Sequence, residues 1–105
     1  MTLTPDELLV LEVVMKLVKN PPTAEDIEWD DSGQRWVRIP AQAVSDLLLT
    51  GKNLSYSVVR TRKLLKGLVL KGFLLRVQRL GELKYLASYL YRLPNAPWFS
   101  RAPAA

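Results

Sequence analysis

The chain contains no cysteine and no histidine. Without cysteine there is no disulfide framework and no thiolate nucleophile. Without histidine the commonest general base and the commonest zinc ligand are both missing. Metal hydrolases and triad enzymes fit poorly, and the expectation is a protein that works without catalysis and without a cofactor. No apolar run is long enough to span a bilayer. The opening residues, MTLTPDELL, lack the basic region of a signal peptide and carry acids instead. Both absences lead to the expectation of a cytoplasmic chain with no membrane partner.

What is present is unevenly spread. The net charge of +5 over 105 residues hides two opposite regions. Residues 1–34 hold eight acids against two bases, whereas residues 35–105 hold thirteen bases against two acids. A basic C-terminal two-thirds is the electrostatic footprint expected of a partner for a polyanion. The length suits one domain with a modest core, expected over residues 1–93, with 94–105 as a proline-containing tail or linker. Trp98 and Phe99 are apolar enough to dock back onto that domain.

Thr4-Pro5-Asp6-Glu7 predicts a helix start, with Thr4 as cap, Pro5 in the first turn and Glu7 completing a capping box. The helix extends to Lys19, where Asn20-Pro21-Pro22 stops it. Glu12, Lys16 and Lys19 form one narrow polar stripe on a helix that is otherwise apolar around its girth. Such a helix is either wrapped by its own domain or covered by a second copy, so a homodimer through residues 5–19 is one expectation. Asp30-Asp31-Ser32-Gly33 predicts a turn between Ile27-Glu28-Trp29 and a short strand, Arg35–Ile39. The spacing resembles a calcium loop but lacks the required glycine and terminal glutamate, so a solvated hairpin tip is preferred.

Pro40 opens a second helix that Gly51 is expected to end in a left-handed conformation. Ser55 or Ser57 can cap a third helix reaching Leu70. On a 3.6-residue wheel Val58, Thr61, Leu64, Leu65, Leu68 and Val69 gather on one side. Arg60, Lys63, Lys66, Gly67 and Lys71 gather opposite them, with Arg62 at the margin. From Phe73 to Leu93 the chain alternates as a strand does, with Gly81-Glu82 as a turn. A hairpin is therefore expected there. The helical spacing of Leu83, Leu86, Leu90 and Leu93 is the alternative.

The order helix, strand, helix, turn, helix, hairpin resembles a winged helix-turn-helix domain. The resemblance rests on Ile39–Leu48, on Ser55–Leu70, and on Lys71-Gly72-Phe73-Leu74-Leu75-Arg76-Val77 as the step into a wing. Tyr89-Leu90-Tyr91-Arg92-Leu93-Pro94 is similar to a returning wing strand. The turn from Thr50 to Ser57 is longer than in the simplest members of that family. The resemblance implies an α+β, mostly helical fold of three helices plus a C-terminal β-hairpin wing. It also implies a double-stranded DNA partner, with residues 55–70 in the major groove and 73–93 on the backbone. The function expected is transcription regulation, or DNA binding in a phage or mobile-element system.

The residue chemistry points the same way. Ser55, Tyr56 and Ser57 place hydroxyls at a helix start, where phosphate oxygens fit. Arg60 and Lys63 project opposite the core, and Arg60 is the candidate for bidentate guanine reading. Lys52, Arg62, Lys66, Arg76, Arg79 and Lys84 are candidates for phosphate contacts. Tyr85, Tyr89 and Tyr91 either stack on bases or pack on the core. The alternative function is a winged-helix protein-interaction module inside a larger assembly.

Overall fold

A computed structural model describes residues 2–79 and 88–94. The first helix, α1, spans Pro5–Lys19. A single 3-10 turn, Ala24–Asp26, leads into strand β1, Ile27–Trp29, and then β2, Arg35–Arg38. Helices α2, Ala41–Lys52, and α3, Val58–Leu70, follow. Strands β3, Leu75–Arg79, and β4, Ser88–Arg92, complete the order. The fold is α+β, with three α-helices and a four-stranded antiparallel sheet in the order β1-β2-β4-β3.

The α1 start forms as its residues dictate. The Thr4 hydroxyl accepts the Glu7 N–H at 3.1 Å, and the Glu7 carboxylate accepts the Thr4 N–H at 3.0 Å. This capping box satisfies two N–H groups that a helix start otherwise leaves open. The near-complete apolar girth of α1 is explained by its position. It packs against α2, α3 and β2, which bury Val10, Leu11, Val13, Val14, Leu17 and Val18. The domain covers this helix with its own elements, so its composition does not require a second copy. Val37 and Tyr91, paired across β2 and β4, extend the core to Val44, Leu48, Leu65 and Leu68. Each such aliphatic side chain contributes about 1.5–3 kcal/mol by leaving water.

Two helix boundaries differ from the sequence expectation. Gly51 lies inside α2, and Asn53 takes the left-handed position at φ 55°. Asparagine tolerates this region because its short polar side chain can bond locally. The extension by Gly51 and Lys52 brings Lys52 to Glu12 of α1 at 3.0 Å, which ties the end of α2 to the domain. The third helix begins at Val58 rather than at Ser55, where the resemblance put its start, and its cap is Ser57, one of the two expected candidates, which accepts the Arg60 N–H. At its other end Gly72, at φ 84°, allows Phe73 N–H to reach Leu68 O and Gly72 N–H to reach Val69 O. These are the paired bonds of a Schellman ending, which a side chain at Gly72 would strain.

The turn at Asp30 forms as expected, and its carboxylate is fully engaged. It accepts from Ser32 N–H and hydroxyl, from Gln34 N–H and from the Trp36 indole. Both flanks of that turn are strands, as a hairpin requires: β1 pairs with β2 from Ile27–Val37 to Trp29–Arg35. The alternating segments Leu75–Arg79 and Ser88–Arg92 are strands and pair antiparallel from Leu75–Arg92 to Arg79–Ser88. The expected turn at Gly81-Glu82, and Lys84 and Tyr85 beyond it, lie outside the described residues. So do Trp98, Phe99 and the rest of the tail. No helix among the described residues is long and apolar enough to cross a membrane.

Candidate nucleic-acid interface

The cations of α3 do not form one face. Helix periodicity places Arg60, Leu64, Gly67 and Lys71 on one line, and that line packs against the start of α1. Arg60 donates to Asp6 Oδ2 at 2.6 Å, and its guanidinium lies 4.0 Å from the Tyr56 ring centroid. Tyr56 completes the cluster by donating its hydroxyl to Asp6 Oδ1 at 2.6 Å. Lys71 donates to the buried Glu7 carboxylate and to Thr2 O. Gly67 stands between these contacts for a steric reason: a Cβ there would sit 2.8 Å from Glu7 Oε2.

This arrangement revises the expected reading surface. Arg60, Gly67 and Lys71, expected on a solvated face opposite the core, line the seam between α3 and α1. The cause is the acidic first turn of α1, Asp6 and Glu7, which attracts the cations nearest to it. Of the three expected hydroxyls, Ser57 is spent on the helix cap and Tyr56 on Asp6. Ser55 is exposed ahead of the helix. Lys52, a phosphate candidate, is paired with Glu12.

The exposed face of α3 carries Val59, Arg62, Lys63, Lys66 and Leu70. Val59 and Leu70 are unusually open for aliphatic residues, at 58% and 73% exposure. Among the described residues no carboxylate pairs with Arg62, Lys63 or Lys66, whereas Arg38, Lys52, Arg60 and Lys71 all have acid partners. Arg76 of β3 flanks this face, with its guanidinium 4.0 Å from the Tyr89 ring centroid. Arg79 is at the far end of the same strand, opposite Ser88. Tyr91 is buried in the core, while Tyr89 is partly open. The sequence reading overlooked Val59 and Leu70. Their place among lysines at three- and four-residue spacing was the available signal.

The paired carboxylates have a consequence in acid. The Tyr56 hydroxyl, and then Arg60, hold Asp6 below its ordinary pKa. Lys71, and then the Thr4 N–H, do the same for Glu7. Arg38 lowers Asp26, and the Trp36 indole followed by Ser32 lowers Asp30. In each case the unfolded chain binds the proton more readily than the folded one, so stability is lost as pH falls. Urea midpoints measured by circular dichroism should be level above about pH 5 and decline steadily below about pH 4.5. A midpoint unchanged down to pH 3 would contradict these carboxylate contacts.

The chain matches no family model, no curated protein and no solved structure.

Proposed function

We propose that the chain is a winged helix-turn-helix domain that binds double-stranded DNA. In this reading the exposed face of α3 enters the major groove and the β3–β4 pair lies along the backbone. The observation that carries it is the group Arg62, Lys63 and Lys66 on α3, which has no acid partner among the described residues, beside Arg76 on β3. Among the described residues the cations of the α1–α3 seam meet acids and these do not, and a polyphosphate backbone is a natural counter-charge. Val59 lies in the same stripe and suits contact with a thymine methyl. Arg62 and Lys63 replace Arg60 as the base-reading candidates, because Arg60 is committed to Asp6 and Tyr56. Arg60 becomes a positioning residue that holds the N-terminal end of α3 against α1. A role in transcription regulation, or in a phage or mobile-element system, accords with this binding.

The test is affinity for a random duplex at two salt concentrations. With about four phosphate contacts, raising salt from 50 to 200 mM should weaken binding about 100-fold. Undetectable binding at low salt, or affinity that barely responds to salt, would remove the DNA reading.

The exposed Val59 and Leu70 also favour a second reading, docking to another protein. Light scattering with and without duplex separates the two. A protein that ignores duplex, yet buries Val59 and Leu70 against a partner, would be an interaction module.

A further inference from the structure

A groove of about 560 Å³ opens between the start of α2, one side of α3 and the β3–β4 pair. Its size lies within the range of about 300–1,000 Å³ typical of small-molecule sites. Ile39, Pro40, Val58 and Leu65 give it an apolar floor. Tyr89 and Tyr91 line it from β4, and Gln42, whose amide N–H donates to Asp46, lines it from α2. Arg62 and Lys66 reach it from α3 and Arg76 reaches it from β3.

Three cations facing one partly apolar groove repel one another, and no acid among the described residues answers them. Low-dielectric walls strengthen that repulsion and strengthen attraction to a bound anion by the same factor. The α2 start contributes in the same sense. Pro40 offers no side-chain cap, and Ala41 and Gln42 in the first turn of this twelve-residue helix line the groove. A phosphodiester backbone would use the charge but not the apolar floor. A planar ring joined to a phosphate monoester uses both, with the ring on the floor and beside Tyr89 and the phosphate among the three cations.

We propose that this groove binds a small aromatic phosphate of the nucleoside monophosphate class. We further infer that its occupation opposes duplex binding. The second part rests on the DNA reading above, because it requires Arg62, Lys66 and Arg76 to serve both ligands. The device needs no change of shape. A bound dianion neutralises cations that the backbone would otherwise meet, and duplex affinity falls by direct competition.

The probes are adenosine 5′-monophosphate, inorganic phosphate and adenosine, each titrated into the whole chain at 50 mM salt and followed by amide chemical shifts. The monophosphate should saturate below 1 mM, on the order of tenfold tighter than either fragment. Its shifts should centre on Ala41, Gln42, Arg76 and Tyr89. Arg62→Gln should weaken it about tenfold, and Gln42→Ala should weaken it while leaving duplex affinity unchanged. No saturation by 5 mM, equal binding of phosphate alone, or shifts centred elsewhere would each overturn the site. In the competition arm, 5 mM monophosphate should reduce duplex affinity at least fivefold. Monophosphate binding by a protein that ignores duplex upholds the site and removes the DNA reading. Duplex binding untouched by a saturating monophosphate upholds the site and removes the competition.

Discussion

Replacing Glu7 with alanine is expected to lower stability by about 2–4 kcal/mol, among the largest single losses available in this chain outside the aliphatic core. Glu7 is a charged residue only 6% exposed. It makes two kinds of contact at once. One carboxylate oxygen, Oε1, accepts the Thr4 N–H and the Lys71 ammonium. The residue's own N–H donates to the Thr4 hydroxyl. The substitution removes half of a capping box, worth about 1 kcal/mol. It also leaves Lys71, whose side chain is only 26% exposed, without its counter-charge. Breaking a fully buried pair costs about 3–5 kcal/mol, and the partial exposure of Lys71 reduces this. The cavity beside Gly67 adds to the loss, since that glycine exists to admit the carboxylate.

Thermal unfolding should therefore shift down by about 10–20 °C. Glu7→Gln keeps an acceptor for Thr4 but loses the charge, and should fall about halfway. Combining Glu7→Ala with Lys71→Met should cost less than the sum, because the unpaired ammonium is then gone. A Glu7→Ala midpoint within 2 °C of the parent would mean that the α1–α3 seam does not depend on this pair.

The second large effect concerns binding. Arg62→Gln, Lys63→Gln and Lys66→Gln together are expected to reduce duplex affinity by about 10²–10³ at 0.1 M salt. Each lost phosphate contact should also flatten the salt dependence by about 0.9 in the logarithmic slope. The fold should survive, since all three side chains are exposed and none has an acid partner among the described residues. Arg60→Gln makes the informative contrast. It should reduce stability, through Asp6 and Tyr56, more than it alters the salt slope. A triple variant that binds duplex as well as the parent would move the nucleic-acid face off α3 altogether. Loss of affinity accompanied by unfolding is distinguished by the circular dichroism of the same sample.

These two effects divide α3 lengthwise. One line of residues closes the domain against α1, and the neighbouring line is exposed to solvent. Gly67 marks the first line and Val59 the second, a glycine and a valine at positions where a wheel diagram shows only gaps between charges. A sum of basic residues conceals this division. It assigns Arg60 and Lys63 the same role, although they are three positions apart and face different neighbours.

Local chemistry determined a good deal by itself. The capping box at Thr4 and Glu7, the double-proline stop after Lys19, the Asp30 turn and the strand period of Leu75–Arg79 each depend on residues within a few positions of one another. Contacts of that range are set by backbone geometry and side-chain reach, so the amino-acid order suffices to predict them. The burial of α1 by its own domain and the separation of paired from unpaired cations are of another kind. They depend on Asp6 meeting Arg60 across 54 residues and Glu7 meeting Lys71 across 64. A residue's charge is legible in a sequence, but its counter-charge is chosen by how the helices pack. Only the tertiary structure decided which basic residues hold this protein together and which stay exposed without an acid partner among the described residues.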